Sequence, residues 1–144
     1  MLGLVERKLD DKNRIILPSS LRDALGSSFY LTLGFDGNAE IRSNDEFAKY
    51  SSFVENLDMF DKNARVLRRH IIGKAVLITL DSQGRFILPK NILEALTIQK
   101  EVVFVPVGSV IELWSKEKFD DDQSQYSADD IASIAQSLSR KESK

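Results

Sequence analysis

The chain has 144 residues, 42% hydrophobic and 29% charged, which suits one good core or two small interlocked ones. With no cysteine and one histidine it excludes disulfides and thiolate metal sites, so neither a metal nor any other cofactor is expected. The net charge of -2 divides unevenly: residues 1–116 hold 16 Lys and Arg against 15 Asp and Glu, and residues 117–144 hold 4 against 7. Anion binding must therefore come from locally placed cations or from several copies acting together.

No apolar run approaches a membrane span, and residues 1–6 lack the basic-then-apolar pattern of a signal peptide, so a cytoplasmic protein is expected. Residues 3–9 then read as a strand, with Val5, Arg7 and Leu9 alternating against Leu4, Glu6 and Lys8. It feeds the stretch Leu9-Asp10-Asp11-Lys12-Asn13-Arg14-Ile15-Ile16-Leu17-Pro18, which the chain writes again as Leu80-Asp81-Ser82-Gln83-Gly84-Arg85-Phe86-Ile87-Leu88-Pro89. An offset of 71 residues separates Asp10 from Asp81, Arg14 from Arg85 and Pro18 from Pro89, so one unit is used twice.

Asn13 in one copy stands where Gly84 stands in the other, and these two residue types share tolerance of a positive φ. That slot reads as a left-handed turn residue between two short strands. Asp10 and Asp81 sit where a carboxylate accepts turn amide hydrogens or pairs with the arginine across the turn. On the strands after the turns, Arg14 and Ile16 share one face while Ile15 and Leu17 share the other.

Pro18 opens a short helix that Gly26 stops. Residues 29–33 and 39–42 read as strands around a turn, and Ser43 or Asn44 caps a helix that Phe47, Tyr50, Phe53 and Val54 are expected to pin to the core. The same order returns with a strand at 101–105, a turn at 106–109 and Glu112-Leu113-Trp114-Ser115 followed by Phe119, so the repeat is β-β-α-β-β-α and the fold class is α+β. Between the copies, residues 61–72 form a helix capped by Asp61, with Arg65, Arg68 and Arg69 on one side. These arginines read either as a phosphate patch or, preferably, as partners for Asp and Glu of the next unit. His70 has no partner that would make it a catalyst. The division expected is 1–60 and 73–119 for the two halves, 61–72 for the connecting helix and 120–144 for an acidic tail. In that tail Ile131, Ile134, Ala135 and Leu138 form a helical stripe suited to a neighbouring subunit.

The duplicated Asp-x-x-x-Arg, each copy followed by an apolar run, proline and a short helix, with Gly73-Lys74-Ala75 before the second copy and Glu112-Leu113-Trp114 near the end, resembles the MraZ family of bacterial transcription regulators over roughly the first 120 residues. The resemblance leaves the tail outside. It implies an AbrB-like swapped-hairpin fold with a β-barrel core, ring-shaped homo-oligomers, and binding of double-stranded DNA at short direct repeats in the promoter of the division and cell-wall gene cluster. The DNA-contacting loops it implies are Lys12-Asn13-Arg14 and Gln83-Gly84-Arg85, with Arg14 and Arg85 as principal contacts and Lys8 and Lys12 placing the backbone. Two departures stand out: Leu2 precedes Gly3 where the family has an aromatic-arginine pair, and Asn13 replaces the commoner glycine.

Two rival classes follow from the same residues. An enzyme would have to use Asp10 and Asp81 as its carboxylates, since no glycine-rich phosphate loop, nucleophile elbow or histidine pair is present, and no enzyme is expected. A ring-forming scaffold or protein-interaction module without DNA affinity is the alternative that the negative overall charge keeps open. Trp114, Phe119 and the tail stripe are the apolar residues expected to be exposed for assembly.

Overall fold

The computed structural model describes residues 3–142, so Leu2 and its departure from the family pattern lie outside the described residues. The first half runs β1 (Val5–Lys8), β2 (Arg14–Ile16), α1 (Ser19–Leu25), β3 (Ser28–Leu33), β4 (Ala39–Arg42) and α2 (Asn44–Glu55). After α3 (Lys62–Ile71) the second half repeats the order as β5 (Val76–Thr79), β6 (Arg85–Ile87), α4 (Lys90–Ala95), β7 (Glu101–Pro106), β8 (Ile111–Ser115) and α5 (Lys116–Ser124), and α6 (Ala128–Glu142) follows. The caps explain several boundaries. Ser43 and Ser115 each accept an amide hydrogen bond three residues on, from Glu46 and Lys118, and Asp61 accepts from the Asn63 amide. Ser127 and Asp130 satisfy each other reciprocally at the start of α6.

The fold is α+β, with an antiparallel sheet of order β1-β7-β8-β4-β3-β5 and a separate two-stranded ribbon, β2-β6. The halves interleave, because β1 pairs with β7, β5 pairs with β3, and β4 meets β8. A closed barrel was expected, but the larger sheet is open. β1 and β5 are its edges, and after each of them the chain turns at Asp10 or Asp81 into the ribbon, whose strands pair with each other.

One core holds both halves together. Ile15, Leu17, Phe29, Leu31 and Ile41 meet Phe86, Leu88, Ile92, Phe104 and Leu113 in a single buried cluster. Phe86 links the copies directly, lying edge-on to Phe29 at 5.6 Å and to Phe104 at 6.4 Å between ring centroids. Burying each such side chain stabilises the fold by about 1.5–3 kcal/mol relative to exposure.

Three expectations change here. Trp114 and Phe119 are buried, not exposed: α5 folds over β7 and β8, the two rings meet edge-on at 5.7 Å, and the Trp114 Nε1–H donates to Glu112 at 3.0 Å. Phe53 faces away from the core that buries Val54 beside it, while Phe47 stacks on Tyr30 at 4.1 Å and the Arg42 guanidinium lies 3.7 Å from the Tyr50 ring centroid. Among the described residues the arginines of α3 do not pair with carboxylates of the second half of this chain. Arg65 donates to the Met59 carbonyl and Arg68 to the Leu57 carbonyl, both at 2.8 Å, because the turn leaving α2 presents carbonyls that no helix continues to satisfy.

Candidate nucleic-acid interface

The two Asp-x-x-x-Arg turns are built from the same hydrogen bonds. In the first, one Asp10 oxygen accepts from the Lys12 and Arg14 amides, both at 2.9 Å, and the other accepts from Arg14 Nε at 2.7 Å. In the second, Asp81 accepts from the Gln83 and Arg85 amides at 2.9 Å and from Arg85 Nε at 2.8 Å. The Arg14 amide and, after it, the Arg14 guanidinium and the Lys12 amide hold the Asp10 carboxyl below its ordinary pKa, and the Arg85 and Gln83 groups do the same for Asp81. Both carboxylates are thereby committed to holding an arginine.

Asn13 and Gly84 occupy the left-handed region, with φ of 60° and 73°. Their carbonyls tie the turns across the halves: Gly84 accepts from the Leu17 amide at 2.9 Å and Asn13 from the Leu88 amide at 3.2 Å. Gly84 also leaves room for a neighbouring side chain. A Cβ there would run into the Arg22 guanidinium, which donates to the Leu17 carbonyl at 3.1 Å. The residue 71 positions beyond Arg22 is Leu93, so Asn13 faces no corresponding guanidinium.

The strands after the turns place the arginines together. In the β2-β6 register Arg14 lies opposite Ile87 and Arg85 opposite Ile16, with Ile15 against Phe86 between them. Since Ile15 and Phe86 are buried, Arg14, Ile16, Arg85 and Ile87 share the outward face, and the two arginines are diagonal neighbours. Each keeps its two Nη nitrogens without a protein partner among the described residues, because the aspartate takes only Nε. Arg14 and Arg85 also line one open groove of about 340 Å³ between β5 and β6.

The remaining predicted residues surround this face. Lys12 and Gln83 are exposed in the turns, and Lys8 is exposed in β1 opposite Glu101 of β7. Sequence reasoning missed Ile16 and Ile87, which are 49% and 61% exposed, and Arg22 against Gly84. The isoleucines were legible, being outward by strand alternation, yet an aliphatic residue on a polar face carries no motif. Arg22 had no signal. Among the described residues no cluster of His, Asp and Glu fits a metal ion, and no helix is long and apolar enough to cross a membrane.

Comparison with known proteins extends the resemblance past its expected limit. The family model described as "MraZ protein, putative antitoxin-like" matches residues 1–70 and again 71–141, so the second match takes in the tail helix. The chain is 44% identical to "Transcriptional regulator MraZ" of Mycoplasmopsis pulmonis (strain UAB CTIP), over 94% of this chain and 92% of that protein. It is 39% identical to the protein of the same name in Mycoplasma mobile, over 98% and 97%, and 35% identical to that of Mesoplasma florum, over 94% and 93%. Two consecutive matches and relatives aligned over nearly their whole length leave one conclusion: the chain belongs to the MraZ family.

Proposed function

We propose that this chain is a transcriptional regulator, as its relatives are named, and that it works by binding DNA sequence-specifically in the cytoplasm in association with the nucleoid. Its DNA-reading element is the β2-β6 ribbon, and its target is a set of short direct repeats in the promoter of the division and cell-wall gene cluster. The observation that carries this reading is the pair Arg14 and Arg85 on one outward face, each anchored through Nε with its Nη atoms left without a protein partner among the described residues. A two-stranded ribbon fits the major groove, and a preset guanidinium fork matches O6 and N7 of guanine or a phosphate. Lys8, Lys12, Asn13 and Gln83 border the face and supply backbone contacts, while Gly84, expected among them, is buried with its amide and carbonyl both bonded within the protein and shapes the turn instead. The anchored geometry supports both roles at once: Nε of each arginine locks its turn, which leaves the two Nη atoms for DNA.

One near-neutral subunit offers few such contacts, so useful affinity needs several subunits on regularly spaced repeats, and a closed head-to-tail ring supplies them. The cross-half pairings further support a swapped-hairpin, AbrB-like class with halves 1–60 and 73–119 joined by the helix at 61–72. Binding to DNA with one, two and three promoter repeats tests the reading, with Arg14→Ala and Arg85→Ala compared against Lys49→Ala on α2. Affinity should climb with repeat number for wild type and Lys49→Ala, and fall for both ribbon variants at unchanged oligomer size. An intact assembly that binds no promoter DNA would favour the scaffold reading instead.

A further inference from the structure

The tail helix continues the repeat. Ala64 and Leu67 of α3 correspond at the 71-residue offset to Ala135 and Leu138 of α6. In the first half these positions are half-buried, and α3 packs on α2 and β3, where Ile71 and Val54 are buried. In the second half every residue from Gln123 to Lys141 is exposed, Ile131, Ile134 and Leu138 included. The inner end of the stripe is half-buried in one copy and bare in the other, while Phe60, the counterpart of Ile131, is exposed as well.

The chain's own α5 offers no equivalent seat. Matched through the capping serines Ser43 and Ser115, α5 ends at the position of Ser52, so the last turn of α2, where Val54 is buried, has no helical counterpart. Tyr50 corresponds to Asp122 in the same alignment. Meanwhile the turn between α2 and α3 exposes Met59 and Phe60, the latter 86% accessible, beside Arg65, whose guanidinium binds the Met59 carbonyl. Next to them Arg65, Arg68 and Arg69 line an open depression of about 350 Å³. The start of α6 is acidic, with Asp129 and Asp130 in its first turn.

We infer that α6 of one copy docks on the α2–α3 turn of the next, its Ile131/Ile134/Leu138 stripe against Met59 and Phe60 and its acidic end toward the α3 arginines. The two surfaces are complementary in both apolar character and charge, and two α2–α3 turns would oppose arginine to arginine; an antiparallel pair of α6 helices, acidic start against basic end, is the competing arrangement that cross-linking separates. Because donor and acceptor lie on different parts of the chain, the contact is heterologous and propagates around a ring. The inference rests on the assembly proposed above and adds the contact that builds it.

The chain contains no cysteine, so introduced thiols are unique. Chains carrying Ile134→Cys alone and Phe60→Cys alone, mixed and treated with a short bismaleimide, should give one cross-linked pair spanning two chains, while each variant alone gives none. The double variant should give a ladder. Ile134→Asp and Phe60→Asp, both at exposed positions, should keep wild-type circular dichroism and raise the concentration at which the assembly dissociates by roughly tenfold or more. Cross-linking of the Ile134→Cys chain to itself, cross-linking confined within one chain, or an oligomer unmoved by either aspartate would overturn the docking mode while leaving assembly standing. A strictly monomeric wild type at micromolar concentration would overturn both.

Discussion

The two turns repeat each other bond for bond, whereas the strands leading into them do not. Asp10 and Asp81 hold their arginines at 2.7 and 2.8 Å by the same three contacts, yet β1 is Val-Glu-Arg-Lys and β5 is Val-Leu-Ile-Thr. A duplicated unit that drifts at its edges while keeping the centre fixed locates the geometry that matters on the ribbon. The drift also makes the face lopsided: Lys8 offers a cation on the β1 side, and at the corresponding offset the β5 side has Thr79 next to exposed Ile78-flanking Leu77. On the proposed DNA-reading role, the first flank would take a phosphate and the second would not.

The largest effect expected from breaking this comparison comes from its shared centre. Arg14→Ala and Arg85→Ala should each cost roughly 1–3 kcal/mol of discrimination against a wrong base, measured by competition with single-base repeat variants. Gly84→Ala should destabilise the fold by about 1–2 kcal/mol, the ordinary cost of a left-handed non-glycine residue, and more if Arg22 must move. Asn13→Gly should be close to neutral in the same urea titration, since it removes a strained side chain from the equivalent slot. A loss at Asn13→Gly as large as at Gly84→Ala would contradict the left-handed reading of the shared slot. On the flanks, Lys8→Ala should reduce the salt slope of DNA binding by about 1, and Leu77→Ala should leave it unchanged.

The smallest effect is in acid. Because the Asp10 and Asp81 carboxyls are held below their ordinary value of 3.8, the order they lend the turns is complete above that pH and is lost as pH falls through the lowered values. Both groups are solvent-exposed, so the change belongs to the turns and should be followed by NMR of the Arg14 and Arg85 Nε–H signals. Asp10→Asn should remove the response from Arg14 alone.

The fold was legible wherever local chemistry repeats. The 71-residue offset, the Asn13/Gly84 exchange and the serine caps were enough to place turns, strands and helix starts, because each depends on residues close in sequence. What could not be read is long-range. Strand alternation put Arg14 on an outer face, but only the β2-β6 register makes Arg85 its diagonal neighbour. Trp114 and Phe119 looked available because nothing in their spacing reveals that α5 folds over β7 and β8. The arginines of α3 were matched to carboxylates by charge, and their actual partners are carbonyls exposed by the end of a helix. The tail fell outside the recognised motif because its repeat is carried by apolar spacing, with a changed linker before it.

The most direct test of the ribbon as the reading element is methylation interference at guanine N7 within the promoter repeats. Methylation should abolish binding of the wild-type assembly at specific guanines, and that sensitivity should disappear at one subset in Arg14→Ala and at another in Arg85→Ala, with oligomer size unchanged. Binding indifferent to N7 methylation, or an identical interference pattern in wild type and both variants, would contradict the account.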